Sequence, residues 1–197
     1  MTTITISRQL GSQGTEVANA LGRQLGYRVV WRELINQAAL RSGLPEVALA
    51  TIDELGLLGL HPSARERQAY HEAVRQVIEG LAEVGQVVIV GRAGQVILHD
   101  RPDVLHVRIV APAPLRAERI ALTHRVSLEA AYEQVLTSDR TRANYLHRYY
   151  HARWDDPELY DLVLNTQRLA PDEAAGLIGQ ALAHIQHDAI PHEKDRP

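Results

Sequence analysis

The segment Ile4–Gly22 constrains this chain more than any other. It reads as an apolar strand, a turn containing Gly11 and Gly14, and then an amphipathic helix. That is the layout of a phosphate-binding loop, in which backbone N–H groups at a helix N-terminus face an anion. The segment lacks the lysine that a GxxxxGK[ST] loop places at its end. The only lysine of the protein is Lys194, close to the C-terminus. If this loop grips phosphate, arginine and backbone must supply what the ammonium usually does.

Composition narrows the setting. A chain of 197 residues fits one domain, and 45% hydrophobic residues can bury a substantial core. Phe is absent, so Leu, Val, Ile and Ala must fill it. A net charge of −3 argues against a general nucleic-acid binder. Zero cysteines excludes disulfides, thiolate catalysis and Cys-ligated zinc. No signal-like start and no membrane-length apolar run occur, so a cytoplasmic protein is expected. Of 21 basic residues all but one are arginine, a bias that genome composition alone would produce. Arginine nevertheless suits bidentate phosphate contacts better than lysine does.

Five segments read as buried strands without clean polar alternation: Thr3–Ser7, Tyr27–Trp31, Gln86–Gly91, Val104–Val110 and Tyr160–Asn165. Helical patterns separate them, over Gly14–Leu25, Arg32–Ser42, Ala64–Val84, Leu115–His124, Leu128–Tyr149 and Pro171–Ile185. This alternation predicts a doubly wound α/β domain with a five-stranded parallel sheet, Thr3–Ser7 inside it. Ligands in such folds bind beyond the carboxyl ends of the strands, where Ser7, Gly91 and Asn165 fall. Gly43–Pro62 reads as an irregular connection or small cap, and residues 188–197 as a disordered tail.

Four constellations could carry chemistry. In Ser7–Glu16, glycines permit close backbone approach, Ser12 and Thr15 add hydroxyls, and Arg8 could add charge; a plain strand-to-helix turn would look the same. Val87-Val-Ile-Val-Gly-Arg-Ala-Gly94 puts Arg92 at the carboxyl edge of a buried strand, as an anion ligand or a surface residue. Arg116, Arg119, Arg140 and Arg142 are a basic series that could close over polyphosphate or form a solvated face. Arg116 and Arg119 share a helical face, whereas Arg140 and Arg142, two apart, diverge on a regular helix. The aromatic stretch Tyr145–Asp161 could stack on a base or pack under the final helix. His147 and His151 stand at i, i+4 without a third ligand, so no metal-ligating residue is assigned.

Taken in order, these pieces resemble the cytidylate kinase-like group of P-loop nucleoside monophosphate kinases. The resemblance rests on Ile6-Ser-Arg-Gln-Leu-Gly-Ser-Gln-Gly14, Glu33-Leu-Ile35, Val90-Gly-Arg92, Arg108-Ile-Val-Ala-Pro112, Asp139-Arg-Thr-Arg142, Trp154-Asp-Asp-Pro157 and Tyr160-Asp-Leu-Val-Leu-Asn-Thr166. It implies an α/β fold of that type with a helical lid in one domain, 1–187. An acceptor-side helical region would lie at about 43–85 and a lid-like region at about 125–157. It further implies phosphorylation of CMP or dCMP by ATP with Mg²⁺. A non-catalytic nucleotide-binding protein is the alternative, and an oligomeric scaffold a third. The expected partner is a nucleotide, with homo-oligomerisation open and neither nucleic acid nor membrane. By this resemblance Gly11, Ser12, Gln13, Gly14 and Thr15 cradle the donor's phosphate, and Arg8 or a lid arginine replaces the lysine. Arg92 holds the acceptor phosphate. Arg116, Arg119, Arg140 and Arg142 neutralise charge, and Asp139 positions an arginine or a metal-bound water. Gly14 aligns with the missing lysine and Glu16 with the usual Mg²⁺-binding hydroxyl, for which a one-residue shift offers Thr15. Val90 and Ala93 stand where true cytidylate kinases have acidic residues.

Overall fold

The computed structural model describes residues 2–31, 36, 39–40 and 64–188. In chain order the elements are β1 (Thr3–Arg8), α1 (Gly14–Leu25), β2 (Arg28–Val30), α2 (Ala64–Val84), β3 (Val87–Val90) and α3 (Gly94–Ile97). Then come β4 (Val104–Val110), α4 (Ala113–His124), α5 (Leu128–Tyr150), a 3₁₀ turn Pro157–Leu159, β5 (Leu162–Asn165) and α6 (Pro171–Asp188). The expected helix Arg32–Ser42 lies outside the described residues except at Asn36, Ala39 and Leu40. The irregular stretch Gly43–Pro62, and the expected acceptor-side region before Ala64, lie outside them too. Of the tail expected over 188–197, Asp188 closes α6 and the remainder lies outside the described residues.

All strand pairs are parallel, in the order β2-β3-β1-β4-β5. The loop that follows β1 therefore emerges at the centre of the sheet's carboxyl edge, between the ends of β3 and β4. One sheet face carries Ile4 and Ile6 of β1, Val88 and Val90 of β3, and Leu105, Val107 and Ile109 of β4. These pack against Val17, Ala18 and Leu21 of α1 and against Ala174, Ile178 and Leu182 of α6. Each side chain fully buried there contributes about 1.5–3 kcal/mol. On the other face Val87, Ile89 and Val104 meet Tyr70, Val74 and Ile78 of α2.

The structure corrects one reading of the strands. β1 alternates cleanly, Thr3, Thr5 and Ser7 facing one way and Ile4 and Ile6 the other, yet both faces are buried. Thr5 and Ser7 survive burial because they find partners, whereas Thr3 Oγ1 is buried without one. Thr5 Oγ1 lies 2.7 Å from His106 Nδ1 on β4, and Trp154 Nε1–H donates to Ser7 Oγ at 2.9 Å. Alternation here separates an apolar side from a hydrogen-bonded side, and neither meets water.

His106 gives this polar side a pH signature. Burial holds its imidazole below the ordinary value of 6.5, against the opposing pull of Asp161. The unfolded chain therefore takes up a proton below about pH 6.5 that the folded chain resists, so stability falls as the pH drops. The expected outcome is a urea midpoint that declines more between pH 7.5 and 5.5 in the parent than in His106→Asn, which cannot titrate. Equal declines would show that His106 takes no part in the acid sensitivity.

Candidate active site

β1 ends where Gln9 N–H donates to Ile109 O (3.1 Å), and the chain then folds back tightly. Ser12 is fully buried, and both its amide (3.3 Å) and its hydroxyl (2.8 Å) donate to Gln9 O. Gly11 (φ +76°) and Gln13 (φ +58°) make the left-handed steps of the turn. Two glycines are required by close approach. A Cβ on Gly11 would lie 2.6 Å from Arg116 O, and one on Gly14 would lie 2.4 Å from Arg8 Cβ. Gly14 opens α1, and Val17 N–H, donating to Gln13 O, makes the first internal bond of the helix. The amides before it point out of the helix with the positive end of its dipole.

This geometry revises the cradle expected over Gly11–Thr15. The Ser12 amide is committed to Gln9 O, and Ser12 O accepts from Thr166 Oγ1 at 2.7 Å. Ser12 thus builds the turn, and the outward amides belong to Gly14, Thr15 and Glu16 at the helix start.

A cleft of about 540 Å³ opens over this helix start. Arg8, Arg119 and Arg142 line it together with Gly11, Gln13, Gly14, Thr15 and Glu16. Arg119 is anchored by Nη1 on Gly11 O (3.3 Å) and by Nη2 on Thr166 O (2.8 Å). A second cavity of about 20 Å³, room for roughly one water, adjoins Ser7, Arg92, Gln95 and Trp154. Arg8 and Arg142 line both spaces.

The remaining expected residues lie elsewhere. Arg116 is not a lid residue over the cleft: it is 3% exposed and held by four hydrogen bonds. Its Nη1 and Nη2 donate to the two carboxylate oxygens of Asp139 (3.1 and 2.7 Å), its Nε to Ala111 O (2.8 Å), and Nη1 also to Leu10 O (3.3 Å). Asp139 accordingly holds an arginine. Arg140 is exposed, bonds Thr137 Oγ1 one turn back at 3.2 Å and lines neither space, because α5 stays regular and turns it away from Arg142. Arg92 reaches the small cavity but is fully buried, with φ +59° and Nη2 donating to Asn36 Oδ1 at 2.7 Å.

Three contributors stand in the quoted motifs without a role assigned from sequence. Gln9 accepts from Ala111 N–H at 3.1 Å and donates to Asp139 Oδ2 at 3.4 Å, joining the loop to β4 and α5. Thr166 closes the loop from behind. Trp154 covers Ser7. For a divalent cation, Glu16 is the one carboxylate on the cleft wall, with Thr15 beside it, and no cluster of three His, Asp or Glu is found among the described residues. That set suits Mg²⁺ riding on phosphate oxygens, where one or two protein oxygens suffice. Among the described residues no helix is long and apolar enough to cross a membrane.

Comparison with known proteins agrees with this geometry. A uronate isomerase of Corynebacterium glutamicum is 26% identical over 84% of this chain, which spans only 32% of that protein's length. A cytidylate kinase of Thermococcus sibiricus is 30% identical, covering 94% of this chain and 90% of the relative. Among solved structures, an uncharacterized protein of Eubacterium ventriosum superposes with a TM-score of 0.73 at 21% identity, over 93% of this chain and 99% of that one. A shikimate kinase of Acinetobacter baumannii gives 0.55 at 13%, over 93% and 94%, and shares the P-loop kinase fold. The model of the cytidylate kinase-like family matches residues 3–168, and the chain belongs to that family.

Proposed function

We propose that this protein transfers the terminal phosphoryl group of ATP to a nucleoside monophosphate, with CMP or dCMP the leading acceptor. One observation carries the reading: Arg8 and Arg142 line both the cleft over α1 and the smaller cavity beside Ser7 and Arg92. Phosphoryl transfer needs two anions brought end to end with their charge neutralised, and little covalent help from the protein. Guanidinium groups shared by two adjoining spaces meet that need.

In this reading the amides of Gly14 and Thr15 and the α1 dipole receive the donor phosphates. Arg119, pinned between Gly11 O and Thr166 O, flanks the donor, and the neighbouring Leu122, 81% exposed, offers an apolar wall for its base. Arg8 and Arg142 replace the absent lysine and stand on either side of the transferred group. Arg92 faces the acceptor phosphate from its buried seat on Asn36. Mg²⁺, when bound, neutralises phosphate charge at the Thr15–Glu16 end. A nucleotide-binding protein without catalysis is the second reading, favoured by one feature. Among the described residues the small cavity is lined by no carboxylate that could orient the acceptor or take its proton.

The reading is tested by ADP release across a panel of nucleoside monophosphates, with Mg²⁺ present and absent; CMP-dependent release is expected, and ATP binding without release would favour the second reading. Arg142→Ala should weaken ATP and acceptor together by well over tenfold, about 1.5–3 kcal/mol for a bond to a charged group. Arg140→Ala, which faces away, should change neither by more than about twofold, within the ±0.5 kcal/mol of ordinary surface substitutions. Gly14→Ala should lower ATP affinity, because the new methyl displaces Arg8; nucleotide titration by calorimetry reads all three. Equal losses in Arg140→Ala and Arg142→Ala would contradict the assignment.

A further inference from the structure

Arg108 is a buried cation without a counterion. It sits on β4 in register with Ser7 and Val163, and it is 7% exposed. Its guanidinium carbon lies 4.4 Å from the centre of the Trp154 ring and 5.4 Å from that of Tyr160. Its Nη1 is buried with no hydrogen-bond partner, and its side chain makes no ion pair among the described residues. The carboxylate that senses its charge, Asp155, is 70% exposed and bridges Arg153 at 3.5 Å. Stacking on two rings recovers part of the lost hydration. It leaves hydrogen-bond donors unanswered, which is costly for a buried charged group. Arg116, at similar burial, has every side of its guanidinium answered except one N–H.

The surroundings say what would answer Arg108. Ser7, its register neighbour, and Trp154, its stacking partner, are walls of the small cavity lined by Arg8, Arg92 and Arg142, and Arg108 stands behind those two walls. Gln95, another wall, donates to Tyr160 Oη at 3.3 Å, and Tyr160 donates to Trp154 O at 2.9 Å. The aromatic cover is thus fixed by polar bonds while the cation beneath it is not. We propose that Arg108 is an oxyanion-binding residue of the acceptor side: a phosphate group entering past Ser7 and Trp154 pairs with its guanidinium. The proposal rests on the kinase reading only for the source of that phosphate, the acceptor's own or free inorganic phosphate.

The test uses the full chain in a Trp31→Phe background, so that emission reports Trp154 alone. Inorganic phosphate, CMP and cytidine are titrated separately against the parent, Arg108→Met and Arg108→Lys, and the urea midpoint of each ligand-free protein is measured. We expect a saturable phosphate-dependent change in the parent, weakened at least tenfold in Arg108→Met and largely kept in Arg108→Lys. We also expect a midpoint for ligand-free Arg108→Met equal to or above the parent's, because an unanswered charge has been removed. CMP acting at lower concentration than phosphate, with cytidine inert, assigns the acceptor's phosphate; phosphate acting alone assigns a free ion. An unchanged response in Arg108→Met, no response in the parent, or a lowered midpoint in Arg108→Met overturns the proposal. ADP release by the parent is scored separately, so loss of the kinase reading and loss of this site are distinguishable.

Discussion

The pair formed by buried Arg116 and half-buried Asp139 is the interaction on which the site depends. Its two bonds, at 3.1 and 2.7 Å, link the first turns of α4 to the middle of α5. The same guanidinium takes Leu10 O from the loop and Ala111 O from the end of β4, and Gln9 adds bonds to Ala111 and Asp139. Four pieces of chain are thereby tied at one point beneath the cleft. The backbone of Arg116 also sets the floor against which Gly11 must be side-chain free. A buried ion pair gives little net stability over an apolar substitute, but breaking one side of it costs about 3–5 kcal/mol. Here its value is positional: it holds α5 where Arg142 lines the same two spaces as Arg8.

The second organising feature is the polar underside of the sheet. Thr5, Ser7, His106 and Arg108 all project from β1 and β4 toward the side covered by α3 and by the chain around Trp154 and Tyr160. Thr5 bonds His106 Nδ1, and Ser7 is capped by Trp154. Burial pushes the Tyr160 phenol above its usual range, so it stays a neutral donor. A row of this kind stabilises less than an all-apolar face would. It places hydroxyl and guanidinium groups next to the small cavity, which an apolar face cannot do.

The sheet was legible because its strands are apolar runs bounded by helical periodicity; only the ends shifted, as where β5 starts at Leu162 after a 3₁₀ turn. The loop was legible from Gly11 and Gly14. The arginine roles were legible in part. Helical geometry separates Arg140 from Arg142, and α5 obeys it. Helical geometry cannot separate Arg116 from Arg119, which share a face: one is buried on Asp139 and the other lines the cleft. That difference comes from what α5 and Thr166 place opposite them. Gln9, Thr166 and Arg108 stand in the quoted motifs, but their roles were invisible for the same reason, since their partners lie about 50 to 150 residues away in sequence. The commitment of the Ser12 amide to Gln9 O is a matter of loop conformation that no residue type announces.

The Arg116–Asp139 pair shapes the loop that, in the proposed reading, receives the donor phosphates. Isothermal titration of ATP against Asp139→Asn, at a temperature where circular dichroism shows the variant folded, tests it most directly. The account expects affinity to fall at least tenfold, with the urea midpoint lowered alongside. Unchanged affinity in a folded Asp139→Asn would contradict it, because the loop would then hold its shape without the pair.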